Sequence, residues 1–111
     1  MIRANRLLTA VVVALSCVAA EAAAADIAAG KAKAAEVCET CHGAGGNSTG
    51  QDFPRLGGQY PDYLAKALRD YKSGDRKNPI MAGFAKPLSK ADIDNLAAYY
   101  AAQPAAVSFK Q

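Results

Sequence analysis

Cys38-Glu39-Thr40-Cys41-His42 decides the reading of this chain. C-x-x-C-H is the attachment pattern of a c-type haem. Each position has a chemical task. The two thiols add across the two porphyrin vinyl groups and form thioethers. Residues three and four apart share one face of a helical turn, so Cys38, Cys41 and His42 rise together and the imidazole can reach the iron. Other uses of the run fit less well. A structural zinc site takes four ligands, usually as two separated pairs, and beyond this run the chain offers only Cys17. A thioredoxin-like pair belongs beside a βαβ pattern, and no alternating strand run occurs. A plain disulfide leaves His42 without a purpose.

Upstream, Arg3 and Arg6 precede a 14-residue apolar stretch, Leu7 to Ala20, followed by Ala23-Ala24-Ala25. A positive start, a short apolar middle and an A-x-A end make a secretory signal peptide. Fourteen residues are short for a membrane span. We expect residues 1–25 to be removed, leaving one domain over residues 26–111 in the periplasm with no integral span. Cys17 falls in the removed part. Val13-Ala14-Leu15-Ser16-Cys17 loosely resembles a lipoprotein site, but Ala14 stands three residues before the cysteine, and ordinary secretion fits better. Losing Arg3, Arg6 and Glu21 lowers the formal charge from +3 to +2. That is too mild to argue for nucleic acid or a membrane surface. A domain this small buries a low share of its surface, so the haem is expected to supply core, and the haem-free chain to be largely unfolded.

Past Asp26, an N-cap, an Ala-rich helix is expected from about Ile27 to the haem run, with Gly30 marking a close helix approach. Gly43 to Gly50 reads as a flexible turn under the haem edge. It lacks the G-K-[ST] ending of a phosphate loop. Pro54 keeps a free carbonyl, and a ligating histidine usually donates its other ring N–H to such an acceptor. Pro54 is therefore the expected partner of His42. Pro61 and Asp62 suit the first turn of a second helix. Its stripe Leu64, Ala67, Leu68, Tyr71 is apolar at helical spacing, and Ser73-Gly74 stops it.

Asp75 to Pro87 reads as a Pro- and Gly-punctuated loop holding Met81, the one methionine besides the initiator. A thioether is a soft ligand that suits haem iron and raises its potential. No second histidine competes. Met81 is the expected sixth ligand. Ser89 and Asp92 form a capping-box-like start to the last helix, whose stripe is Ile93, Leu96, Ala97 and Tyr100 with Tyr99 beside it. Pro104 ends it, and the tail from Ala105 is expected to fray.

Taken together, the CETCH run, the F-P-R-L-G-G-Q segment, the helix from Tyr60-Pro61-Asp62-Tyr63-Leu64, the R-K-N-P-I-M-A-G-F segment and the closing L-S-K-A-D-I-D-N-L-A-A-Y-Y-A-A-Q helix resemble a class I c-type cytochrome. The likeness is to the bacterial branch of cytochrome c4 domains and cytochromes c553, and covers nearly all of the chain after residue 25. Cytochrome c4 carries two such domains where this chain has one. The resemblance implies an all-α, small class I cytochrome c fold with helices wrapped around one covalent haem c. It implies Cys38 and Cys41 as thioether sites, His42 and Met81 as axial ligands, and Pro54 as the carbonyl partner. It sets Gly30 against Leu96 and Tyr99 where the first helix crosses the last.

The expected role is electron transfer, without catalysis of its own, because both axial positions are filled. The expected partners are periplasmic reductases, oxidases or dehydrogenases, met by a monomer or weak dimer through a small interface. Lys72, Arg76, Lys77, Lys86 and Lys90 can frame an exposed haem edge and steer an acidic partner, although such charges are also ordinary solvated surface. The alternative is a haem subunit held permanently in a dehydrogenase or oxidase complex, which a large exposed apolar patch would favour.

Overall fold

The computed structural model describes residues 24–105. The expected signal peptide up to residue 23, with Cys17, and the tail from residue 106, which was expected to fray, lie outside the described residues. Five α-helices follow in order: α1 Ile27–Val37, α2 Glu39–His42, α3 Pro61–Ser73, α4 Pro79–Ala85 and α5 Lys90–Ala101, with a short 3-10 turn at Ala44–Gly46. No strand occurs among the described residues.

Local chemistry sets the helix ends. Asp26 caps α1, its carboxylate accepting from Ala29 N at 3.0 Å. Its own N–H donates to Asn95 Oδ1 at 2.8 Å, tying the start of α1 to α5. Pro61 stands in the first turn of α3, where a missing N–H costs nothing. Gly74 stops that helix in the left-handed conformation, donating to Asp70 O at 3.0 Å. Ser89 and Asp92 close a reciprocal capping box on α5, with both bonds at 3.0 Å. Helix α5 ends at Ala101, ahead of Pro104.

The core lies where α1 and α3 pack on α5. Ala34, Leu64, Ala65, Leu88, Ile93, Leu96, Ala97, Tyr99 and Tyr100 form one buried cluster, with Cys38, Leu56 and Leu68 against it. Gly30 lets α1 and α5 touch: a Cβ there would lie 2.1 Å from the Asn95 carbonyl oxygen and 2.9 Å from Tyr99 Cβ. The expected pair was Leu96 and Tyr99. Tyr99 stands there, but the closest contact is the Asn95 backbone, while Leu96 points into the core at 1% exposure.

Two segments read as loops are more ordered than that. Asp75 to Pro87 contains α4. Asn78 caps it, its side-chain oxygen accepting from Ile80 N and Met81 N at 3.0 Å each, and Pro79 occupies the first turn. The Asn-Pro pair is a helix start, and only Pro87 marks an end. Gly43 to Gly50 is likewise stapled rather than a free turn. Gly46 O accepts from Leu56 N at 2.8 Å and Gly57 N at 3.2 Å, and Ser48 O accepts from Arg55 Nε at 2.9 Å. Gly58 N donates to Tyr100 O at 2.9 Å, fastening the far end of the segment to α5.

Candidate haem site

The helices leave an apolar cleft of about 300 Å³ between α2, α3, α4, α5 and the segment before α3. Cys38, Cys41 and His42 stand in one wall, Pro54 and Leu56 beside them, and Met81 with Ile80 and Phe84 comes from α4. Leu64, Ala67, Leu68 and Tyr71 of α3 and Leu96, Ala97 and Tyr100 of α5 complete it. The α3 stripe thus faces this space.

Each candidate residue has a definite setting. Cys38 follows α1 and begins α2, with His42 N–H donating to Cys38 O at 3.0 Å. This tight turn carries both thiols and the imidazole. Cys38 and Cys41 are not joined to each other by a disulfide, and each is half-buried. Burial pushes the Cys38 thiol up from its ordinary value, with the Tyr100 hydroxyl acting against that rise. The His42 ring is buried at 7% exposure, and its Nδ1 lies 2.8 Å from Pro54 O. A carbonyl only accepts, so Nδ1 carries the proton and Nε2 keeps its lone pair for a metal. Met81 is half-buried in the first turn of α4 and lines the same cleft.

The residues fit a flat apolar group with a central metal. Phe53, Tyr63, Ile80 and Phe84 line the cleft yet are 39%, 51%, 63% and 45% exposed. Large apolar side chains turned into a cleft without a filling partner are what a porphyrin would cover. A nitrogen donor and a thioether donor arise from different elements, and the two thiols stand beside the nitrogen donor. That donor set matches covalent haem c with histidine and methionine ligation.

Sequence reasoning missed Asn78, whose cap orients the first turn that carries Met81. The Asn-Pro dipeptide was the available signal. It also read Tyr100 as plain stripe, although its hydroxyl is buried in the cleft wall and acts on Cys38. The five expected steering cations are not gathered at the cleft. Arg76 lines it, 4.8 Å over the Tyr71 ring and 3.3 Å from the Tyr63 hydroxyl. Lys72 donates to Leu88 O, and Lys90 pairs with Asp94 at 2.6 Å. Lys77 and Lys86 are exposed and do not line the cleft.

Known proteins resemble this chain in sequence and in fold. Cytochrome c4 from Pseudomonas aeruginosa is 45% identical over 103 residues, which is 93% of this chain and 51% of that one. The "Thiosulfate dehydrogenase electron acceptor" of Thiomonas intermedia is 48% identical over 64 residues, 57% of this chain and 30% of that one. The crystal structure of reduced recombinant cytochrome c4 from Pseudomonas stutzeri superposes with a TM-score of 0.71 at 40% identity, covering 79% of this chain and 50% of that one. The chain therefore spans about half the length of the cytochromes c4 it matches. The all-helical architecture is that of the class I cytochrome c fold in these neighbours. Residues 25–99 match the family described as "Cytochrome C oxidase, cbb3-type, subunit III", and the chain belongs to that family of c-type cytochrome domains, with haem c as its cofactor.

Proposed function

We propose that this protein is a periplasmic single-electron carrier, residues 26–111 forming the mature cytochrome domain after removal of residues 1–25. The observation that carries the reading is one cleft bringing a buried His42, with Nδ1 engaged by Pro54 O at 2.8 Å, together with Met81 from another helix. Bound haem supplies a one-electron Fe(III)/Fe(II) couple. Cys38 and Cys41 tether the group, so it is not lost on docking. His42 would hold the metal through Nε2, and the Pro54 carbonyl fixes its tautomer and raises its basicity. Met81 would hold it through its sulfur, and a thioether donor raises the potential. The Asn78 cap keeps the first turn of α4 wound, which holds Met81 in place. With His42 and Met81 both holding the metal, no position would be left open to a substrate, which is why the reading is a carrier rather than an enzyme.

The partners are redox proteins, and the Thiomonas relative's name, an electron acceptor of thiosulfate dehydrogenase, supports a dehydrogenase as donor. No helix among the described residues is long and apolar enough to cross a membrane. A second reading, a haem subunit held in a dehydrogenase or oxidase complex, draws support from the name of a relative in Chlorobaculum tepidum, "Cytochrome subunit of sulfide dehydrogenase", 36% identical over 63 residues. Gel filtration of the native complex against the isolated chain separates the two.

The deciding experiment is an absorption spectrum of periplasm-expressed protein, oxidised and reduced, for wild type and Met81→Ala. We expect covalent low-spin haem in wild type, with a weak far-red sulfur–iron band that vanishes in the variant. The reduced variant, unlike wild type, then takes up carbon monoxide quickly. A variant spectrum identical to wild type removes Met81 from the metal and the carrier reading with it.

A further inference from the structure

The charged side chains that line the cleft are Asp52, Arg55 and Arg76. Asp52 and Arg55 lie together on the segment before α3, where their formal charges offset, and Arg55 Nε donates to Ser48 O at 2.9 Å. Arg76 stands apart from them. It is exposed, and an exposed arginine ordinarily roams over many rotamers. Here backbone and side chain are both held. The Arg76 backbone N–H donates to Asp70 O at 3.1 Å. The guanidinium lies 4.8 Å over the Tyr71 ring. Its Nη1 donates to the Tyr63 hydroxyl at 3.3 Å. Both tyrosines belong to α3 and line the cleft, so the guanidinium is fixed at the corner where α3 gives way to α4.

A guanidinium presents five N–H donors in one plane and no acceptor. The Tyr63 hydroxyl takes one of them. Among the described residues no carboxylate pairs with Arg76, and Asp70, whose carbonyl it touches, gives its side chain to Lys66 instead. A planar fork of donors suits a planar two-oxygen acceptor. Haem brings two such groups, its side-chain carboxylates, and carries them on the edge opposite to the vinyl groups that form the thioethers. The thiol wall belongs to α2, which packs on α1 and the 3-10 turn, whereas α4 packs on α3. Arg76 thus stands on a different wall of the cleft from the thiols.

We propose that the Arg76 guanidinium, held by Tyr63 and Tyr71, pairs with a carboxylate of the bound haem, making Arg76 a positioning residue that orients the acidic edge of the cofactor and tunes its potential. The inference rests on haem binding in this cleft. It explains why two tyrosines hold an exposed arginine still: the fork is set before the carboxylate arrives. It also gives the charge a role in the redox couple. A cation beside the cofactor opposes the extra positive charge of Fe(III), so it favours Fe(II) and raises the potential.

The test compares Arg76→Gln and Arg76→Lys with wild type as isolated holoproteins, with no redox partner present. Midpoint potentials are read by spectroelectrochemistry at low salt, and the haem carboxylate bending band by resonance Raman spectroscopy. The weak far-red sulfur–iron band reports whether Met81 still holds the metal. Arg76→Gln is expected to shift the Fe(III)/Fe(II) equilibrium about fivefold toward Fe(III), the order set by removing one unit charge near a metal in a partly wet medium. It should also move the bending band. Arg76→Lys keeps the charge and loses the planar fork, so it should hold most of the potential while the bending band still moves. The far-red band should persist in both. An unmoved bending band in Arg76→Gln overturns the inference even beside a changed potential, since charge alone alters the potential, and it leaves the guanidinium for a carboxylate of a protein partner. Should Arg76→Gln lose the far-red band or take up no haem, the bending band of Arg76→Lys decides in the same way. Covalent haem in wild type beside an unmoved bending band sinks this inference alone. A wild type without covalent haem sinks the haem reading with it.

Discussion

Replacing Gly30 with alanine puts a methyl group into the crossing of α1 and α5. That carbon would lie 2.1 Å from the Asn95 carbonyl oxygen, 2.6 Å from its carbon and 2.9 Å from Tyr99 Cβ. Comfortable separations between non-bonded heavy atoms are about 3.5–4.0 Å. The two helices must part by roughly 1 Å or more to reach them. Two of the three obstructing atoms are backbone, so no rotamer change relieves the clash. Parting also stretches the bond from Asp26 N to Asn95 Oδ1. Overpacking of this kind costs about 1–3 kcal/mol, and the rigid neighbours argue for the upper end. Alanine returns about 1 kcal/mol of helix propensity. The net loss is about 2 kcal/mol, roughly 30-fold in the unfolding equilibrium constant, or a fall of roughly 8–16 °C in Tm for a domain of this size. Gly83 is the control. It also lies inside a helix, has no positive φ, and a Cβ there meets nothing within 4 Å. Gly83→Ala should therefore stabilise, by up to about 1 kcal/mol. Guanidinium titration of the two holoproteins, followed by far-UV circular dichroism, reads both. A Gly30→Ala protein as stable as wild type would refute the packing argument, as would equal shifts of the same sign in the two variants.

Other outcomes follow from the caps and the cleft. The Ser89 backbone N–H lowers the Asp92 carboxyl below its ordinary value. A depressed folded-state value means stability that is present above the unfolded value and lost as pH falls through the folded one. The stability gap between wild type and Asp92→Asn should thus be open at neutral pH and close on acidification, read by denaturant titrations across the acid range; a gap that is constant with pH contradicts it. Ser89→Ala should cost about 1 kcal/mol in the same titration, since it removes the side-chain acceptor for Asp92 N. Protein made without haem should show no cooperative thermal transition, because the large side chains turned into the cleft then have nothing to cover them. A sharp calorimetric peak for the haem-free chain would show that the helices carry their own core.

Much of the site was legible in order along the chain because its signals are local. The C-x-x-C-H run packs three reactive groups into one turn, so spacing alone places them on one face. The Ser89/Asp92 box and the Gly74 stop are likewise local, each resting on hydrogen bonds within a few residues. Asp75 to Pro87 was misread for a related reason. Pro and Gly there were weighed as breakers, whereas Asn78 before Pro79 starts a helix and Gly83 is tolerated inside it.

Tertiary structure decided what no local pattern encodes. Pro54 reaches His42 because residues between them fold back, held by bonds from Leu56 and Gly57 to Gly46 O. Which atom meets Gly30 depends on the rotation of α5, and that rotation brings the Asn95 backbone rather than Leu96 to the crossing. The charges expected to frame the cleft disperse, since Lys72 satisfies the Leu88 carbonyl and Lys90 satisfies Asp94. The sequence by itself determined the donor atoms and the turn that carries the C-x-x-C-H run, because both follow from residue type and short spacing; that Met81 stands on a helix came only with the structure. Only the packing of α1, α3 and α5 determined which of those groups face one another, because long-range contacts depend on how the helices are turned and how closely their backbones approach.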